Sequence, residues 1–127
     1  MVIHRRSVEL VILPVLDPVG CIPFYAKLGF GVLSQDEREA VLERPGLQLV
    51  LERVDALEAD DGKPRLELRV SLDILEAVWT GDTRDEPTLP GPTLSPEGAF
   101  EYRARDPSGN RVRITAPLPG SGGPALG

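Results

Sequence analysis

Apolar and polar residues follow strand-like patterns through most of the chain. Residues 8–16 are a nearly continuous apolar run rich in β-branched side chains, which predicts a buried strand. Residues 65–70 alternate strictly between polar and apolar side chains, as a strand does when one of its faces is buried. Shorter segments of the same kind predict further strands at 30–33, 40–44, 46–53, 100–105 and 111–116.

Two segments have the spacing of short helices. Asp17 and Pro18 make a good helix start and Gly29 a good left-handed end, so residues 19–28 predict a helix. Pro23 fits that helix only if it falls within the first turn. Residues 72–80 predict a second, amphipathic helix.

The remaining segments read as connections. Residues 55–63 are acidic and polar and predict a linker, and the four prolines within 82–98 predict a long loop or a poor edge strand. The segment from Asp106 to Asn110 predicts the turn that joins the last two strands.

Both halves of the chain therefore have the order strand, helix, then further strands, with no visible sequence identity between them. This order predicts an α+β protein: two βαβββ modules that form curved mixed sheets with helices outside and a concave face that forms a cleft. We expect one domain over residues 1–116, with modules at about 8–54 and 64–116. Residues 117–127 are rich in Gly and Pro and predict a flexible tail.

Composition and charge exclude several functions. The 127 residues carry a net charge of −6, which argues against nucleic acid as a partner. No apolar run is long enough to span a membrane, and no segment reads as a secretory signal, so we expect a cytoplasmic protein without membrane contact. One Cys and one His exclude a disulfide within the chain and a Cys/His zinc site. The single cysteine, Cys21, reads as a small buried hydrophobe.

Two motifs together resemble a known superfamily. The segment Phe24-Tyr25-Ala-Lys-Leu-Gly-Phe30 and the later Asp106-Pro-Ser-Gly-Asn110 turn are similar to the vicinal oxygen chelate superfamily, which includes glyoxalase I, extradiol dioxygenases, and fosfomycin and bleomycin resistance proteins. The resemblance covers roughly residues 8–116. The fold carries many chemistries, so the motifs imply the fold and leave the activity open.

The resemblance also locates the metal ligands of the metal-dependent members. Here those positions hold Leu10, Arg113 and, near the start of the fifth strand, Arg65. An aliphatic side chain cannot bind a metal, and a guanidinium has no lone pair to offer. We therefore expect no metal and no other cofactor, and we expect the protein to be neither a metal lyase nor a dioxygenase.

The metal-free bleomycin resistance proteins are the most similar branch. The end of the first strand, the helix from Leu72 to Trp79 and the turn after Arg105 all look like that branch. This resemblance implies a homodimer that binds and sequesters an antibiotic without catalysis. The aliphatic strand 8–16 is then a candidate for the subunit interface, or for exchange between subunits.

Strand alternation indicates which side chains form the ligand surface. If the apolar positions of the fifth, seventh and last strands face the helix, the opposite face carries mostly arginines and glutamates. The candidate ligand-binding residues on this face are Arg65, Glu67, Arg69, Glu101, Arg103 and Arg113, and the resemblance adds Leu10 in the first strand.

Two interpretations of this charged face remain open. It is either a solvated face with weak cross-strand ion pairs or an arginine-lined cleft suited to carboxylate or phosphate groups. The first interpretation favours an antibiotic-sequestering protein. The second favours a metal-independent enzyme or sensor that binds a small organic anion.

Overall fold

The computed structural model describes residues 8–118, and the chain divides into two compact units, Met1–Asp60 and Asp61–Gly127. The first unit contains β1 (Glu9–Val15), α1 (Pro18–Lys27), β2 (Gly31–Gln35), β3 (Glu39–Arg44) and β4 (Leu47–Arg53). The second contains β5 (Leu66–Arg69), α2 (Leu72–Asp85), β6 (Thr93–Leu94), β7 (Ala99–Arg105) and β8 (Arg111–Pro117).

Each unit forms one mixed four-stranded sheet. The strand order is β1-β4-β3-β2 in the first sheet and β5-β8-β7-β6 in the second. In both sheets the first strand pairs in parallel with the last strand of its unit, and all other pairs are antiparallel. The α+β architecture of two βαβββ modules, predicted from the element order, is confirmed.

The helix-facing side of each sheet forms the core of its unit. In the first unit, alternate residues such as Leu13, Leu42 and Leu51 are almost fully buried. In the second, Leu68 on β5 and Ile114 on β8 lie opposite each other in the same layer. Burial of alternate positions is what the period-two pattern requires, and it leaves the other face of each sheet without a helix.

Polar side chains start both helices. The Asp17 carboxylate accepts a hydrogen bond from the Gly20 amide at 3.2 Å, and the Ser71 hydroxyl accepts one from the Ile74 amide at 3.3 Å. Gly29, with φ of 98°, follows α1 in the left-handed conformation that ends helices. The predicted start and end of the first helix are thus confirmed.

Pro23 lies beyond the first turn of α1, contrary to the condition drawn from the sequence. A proline here has no amide hydrogen for the carbonyl of Val19. Val19 is exposed, so water can take the place of the missing donor. The helix therefore continues through Pro23 to Lys27.

Helix α2 runs five residues past its predicted end at residue 80, and the predicted loop after it is correspondingly shorter. The Tyr102 hydroxyl donates a hydrogen bond to the Asp82 carboxylate at 2.7 Å, which holds the last turns of α2 against β7. Burial of the phenol, with Asp82 beside it, raises the pKa of Tyr102 above its ordinary value. A two-residue edge strand, β6, is all that forms in the rest of the proline-rich segment.

Most of the predicted tail, residues 117–127, lies outside the described range, which ends at residue 118. Pro117, which the sequence prediction places in the tail, is the last residue of β8. Within residues 8–118, no helix is long and apolar enough to cross a membrane.

The turn between β7 and β8 is held by one buried carboxylate. Asp106, which is 4% exposed, accepts hydrogen bonds from the Ser108 and Asn110 amides at 2.9 Å each and from the Asn110 side chain at 3.1 Å. Gly109 takes the left-handed conformation with φ of 96°, and its amide donates to the Asp106 carbonyl. The predicted turn is confirmed, and its function is structural.

We predict that Asp106→Ala lowers the free energy of unfolding by about 2 kcal/mol, because it removes a charged acceptor from donors that are largely buried. Urea unfolding followed by circular dichroism measures the change. The matched control is Asp36→Ala. Asp36 accepts hydrogen bonds from the amides of Arg38 and Glu39 in an exposed turn, where water can replace its carboxylate as the acceptor. Equal losses of unfolding free energy in the two variants would show that burial does not strengthen the hydrogen bonds of the β7–β8 turn.

Candidate functional site

The face of the second sheet opposite α2 gathers most of the predicted site residues. We call it the arginine face, and it consists of Arg65, Glu67, Arg69, Glu101, Arg103, Arg105, Arg111, Arg113 and Thr115. Their neighbours along each strand are buried beneath α2, so the predicted alternation is confirmed.

Strand register sets the order of charges across this face. Arg113 on β8 lies beside Glu67 on β5 and beside Arg103 on β7. Two guanidinium groups on directly paired positions repel each other. The pairing is tolerable only where carboxylates separate the two positive charges.

Arg113 lies among three glutamates. Its Nε donates to the Glu101 carboxylate at 2.8 Å, and its Nη2 lies 2.7 Å from the same oxygen. Its Nη1 donates to Glu67 at 3.0 Å, and Nη2 reaches Glu97 at 3.4 Å. The Arg113 side chain is only 20% exposed, so this guanidinium is largely occupied by carboxylates of its own chain.

Glu101 bridges the two paired arginines. One carboxylate oxygen accepts from Arg113, and the other accepts from the Nε of Arg103 at 3.1 Å. The Glu101 side chain is 15% exposed. The hydrogen bond from Arg113, with a smaller contribution from Arg103, lowers the pKa of Glu101 despite the opposing effect of burial. The same contacts, led by Glu101, raise the pKa of Arg113.

Arg103 is the more accessible of the two paired arginines. Its side chain is 51% exposed, and its ion pair with Glu101 uses Nε. A ligand carboxylate at Arg113 has to displace a glutamate, whereas the exposed guanidinium of Arg103 presents no such competition at its outer edge. Arg103 is therefore the better candidate for contact with an anion.

Glu97 was not predicted from the sequence. It lies in the turn between β6 and β7, where the Gly98 amide donates to the Ser95 carbonyl and Gly98 has a φ of 80°. The Ser-Pro-Glu-Gly segment signals a turn, but strand alternation assigns no face to a turn residue. Its approach to Arg113 depends on how the turn closes.

Solved structures share this architecture. A crystal structure of a bleomycin-binding protein complexed with bleomycin is 24% identical, with 88% of this chain and 99% of that chain covered and a TM-score of 0.63. A bleomycin-binding protein from Streptomyces verticillus, complexed with copper(II)-bleomycin, is 21% identical over 91% and 100% of the two chains, with a TM-score of 0.64. A glyoxalase/bleomycin resistance protein/dioxygenase from Alicyclobacillus acidocaldarius is 20% identical over 88% and 92%, with a TM-score of 0.65.

The chain has the glyoxalase/bleomycin resistance fold. The resemblance inferred from the two sequence motifs is thus confirmed at the level of the fold. No protein-family model matches the sequence, and no curated protein matches it.

Within the glyoxalase/bleomycin resistance fold, Leu10 belongs to the other unit from the arginine face. It lies on β1, on the side of the first sheet opposite α1, and is 60% exposed. Ile12 lies on the same side of β1, and its partner on the adjacent strand β4 is Val50. This open face is mainly aliphatic near β1, in contrast to the charged face of the second unit.

The side chains at the three positions to which the sequence resemblance assigns metal ligands have no ligating group. Leu10 is aliphatic, and Arg65 and Arg113 are guanidinium side chains on the second unit. In the described part of the chain, no three His, Cys, Asp or Glu residues are grouped in a way that could hold a metal ion.

We predict that Glu101→Gln lowers stability by about 1 kcal/mol at neutral pH, because the bridge to both arginines loses its charge. The pKa of Glu101 is lower in the folded protein than its ordinary value of 4.5. Its ionised form therefore stabilises the fold above the unfolded-state pKa, and this contribution is lost as the pH falls through the folded-state pKa.

The difference in the free energy of unfolding between the parent protein and Glu101→Gln should accordingly be largest near neutral pH. It should disappear in acid, where Glu101 is protonated. Urea unfolding from about pH 7 to about pH 3 measures it. Glu52→Gln on β4 is the control, because Glu52 is an exposed glutamate of the other unit. A difference that stays constant with pH would contradict an electrostatic bridge.

Proposed function

We propose that this protein binds and sequesters a small-molecule antibiotic of the bleomycin type, without a metal and without catalysis. The observation that carries the proposal is the pair of hydrogen bonds by which Arg113 and Arg103 engage the central carboxylate of the arginine face. Arg113 and Arg103 hold Glu101 ionised, with a pKa further below neutrality than usual, which makes it a poor proton acceptor. Glu101 is thus engaged in holding the surface together.

The structural neighbours support the same proposal. Two of them are bleomycin-binding proteins in complex with bleomycin or its copper(II) form, and their similarity extends over nearly the whole of both chains. Leu10, Arg65 and Arg113 support the metal-free form of this function, since none offers a lone pair to a cation.

A second candidate function follows from the guanidinium groups of the arginine face. Six arginines lie on this face. Guanidinium groups suit a carboxylate or phosphate, as in a metal-independent enzyme or sensor for a small organic anion. Arg103, with its half-exposed side chain, is the contact this function requires.

One titration distinguishes the two functions. We expect bleomycin and copper(II)-bleomycin to bind saturably in isothermal titration calorimetry and to raise the melting temperature, and citrate and phosphate to do neither. Mass spectrometry should recover the bleomycin unchanged. Arg103→Ala should bind bleomycin as well as the control Arg84→Ala, which removes the same charge from the exposed end of α2.

Binding of citrate that weakens at least tenfold in Arg103→Ala, is unaffected by Arg84→Ala and falls with added salt would instead establish the anion-binding function. The absence of binding by bleomycin would overturn the sequestration proposal. Arg113→Ala is a poor test, because it leaves three glutamates without their shared cation.

We further propose that the protein is a homodimer. Strand β1 is an edge strand of the first sheet, and Leu10 and Ile12 on its open side are 60% and 58% exposed. Exposed aliphatic edge strands tend to pair with another chain. A second copy of this chain is the partner that the resemblance to bleomycin resistance proteins implies.

We predict a dimer in analytical ultracentrifugation at tens of micromolar protein, and dissociation in Ile12→Arg, which places a charge on the aliphatic face of β1. Leu94→Arg is the control, since Leu94 is equally exposed but lies on β6. A parent protein that sediments as a monomer of 13.8 kDa would contradict the proposal.

A further inference from the structure

The guanidinium of Arg113 has two edges that can each bind a carboxylate. Its N–H donors form a planar fork, with one edge along Nε and Nη2 and the other along Nη1 and Nη2. Glu101 takes the first edge, because one of its oxygens lies 2.8 Å from Nε and 2.7 Å from Nη2. The second edge, which we call the end of the guanidinium, is the one left for any other carboxylate.

Two glutamates of the chain occupy this end. Glu67 accepts a hydrogen bond from Nη1 at 3.0 Å, and Glu97 accepts one from Nη2 at 3.4 Å. Glu67 lies on β5 and Glu97 lies in the turn before β7, so the two carboxylates approach from different parts of the unit. A ligand carboxylate at this end has to displace them, and it is repelled by every glutamate that stays.

The two glutamates at the end are held less firmly than Glu101. The side chains of Glu67 and Glu97 are 64% and 68% exposed, and each reaches Arg113 through a single nitrogen. The Glu101 side chain is 15% exposed and bridges two arginines. Exposed ion pairs contribute little to stability. The fold therefore depends on Glu101, whereas Glu67 and Glu97 mainly decide what can reach the guanidinium.

We propose that Glu67 and Glu97 determine the specificity of the arginine face by keeping small organic anions off Arg113. A carboxylate of the same chain competes at a high effective concentration, whereas a free anion has to be captured from solution. The face then favours ligands that need no contact with the end of this guanidinium. The proposal goes beyond sequestration of an antibiotic and holds for whichever ligand the face binds.

The test replaces both glutamates by their neutral amides. Glu67→Gln/Glu97→Gln keeps the size of each side chain and an oxygen that can accept from Arg113, and it removes two negative charges. We expect this double variant to bind citrate at least tenfold more tightly than the parent protein in isothermal titration calorimetry, because citrate then competes with amides in place of carboxylates.

The matched control is Glu39→Gln/Glu52→Gln. It removes the same two charges from exposed positions on β3 and β4, in the other unit, so the net charge of the protein changes equally. Its affinity for citrate should stay within twofold of the parent's. Equal affinities in the two double variants would overturn the proposal, whether both are raised by the change in net charge or neither is raised.

A third substitution shows whether the captured citrate lies at Arg113. In the Glu67→Gln/Glu97→Gln background, Arg113→Gln should abolish the gain in affinity, and Arg103→Ala should leave it within threefold. A gain that survives Arg113→Gln, or is lost in Arg103→Ala, would overturn the proposal, because citrate then binds elsewhere on the face. Circular dichroism checks the fold of each variant, and Arg103→Ala decides alone if the variant with Arg113→Gln does not fold. Bleomycin enters none of these titrations, so failure of the sequestration function leaves their outcome unchanged.

Discussion

Each unit of this protein has one helix to cover one face of a four-stranded sheet. With a single covering helix, only alternate residues of each strand can be buried in the unit's own core, and the other positions face away. The two units meet this constraint with opposite chemistry. The open face of the first is aliphatic around Leu10 and Ile12, and that of the second is charged. The arginine face and the proposed dimer interface both follow from this division.

Carboxylates between the arginines offset the repulsion among the positive charges of the charged face. Arg103 and Arg113 occupy paired positions on adjacent strands, and Glu101 separates their charges by giving one oxygen to each. Glu67 and Glu97 complete the surroundings of Arg113. An arginine enclosed in this way contributes to the fold, while its half-exposed neighbour remains accessible to a ligand. The distinction could not be made from residue types, since both are arginines on one sheet face.

The sequence predicts regular strands well because alternation and burial are local properties of β-structure. Residues 65–70 and 111–116 lie on the predicted faces for this reason, and the turn at Asp106 follows from its own side-chain hydrogen bonds. Other features depend on contacts between distant residues. The extension of α2 rests on the Tyr102–Asp82 hydrogen bond, and the position of Glu97 rests on turn closure. A pocket lined by Trp79 on α2 also needs Pro92 and Phe100 to meet that helix, which no local pattern predicts.

The parallel pairing of β1 with β4, and of β5 with β8, has a consequence for how the chain folds. Glu9 pairs with Leu47 and Leu66 with Val112, so each of these pairs closes almost the full length of its unit. The antiparallel neighbours β3–β4 and β7–β8 are joined by short turns and cost far less chain entropy to form. The hairpins and helices should therefore assemble first, with β1 and β5 docking last on an edge already in place. In the first unit, the last strand to dock is also the one with the most exposed aliphatic surface, so a nascent chain presents that surface to its surroundings before its own sheet is finished.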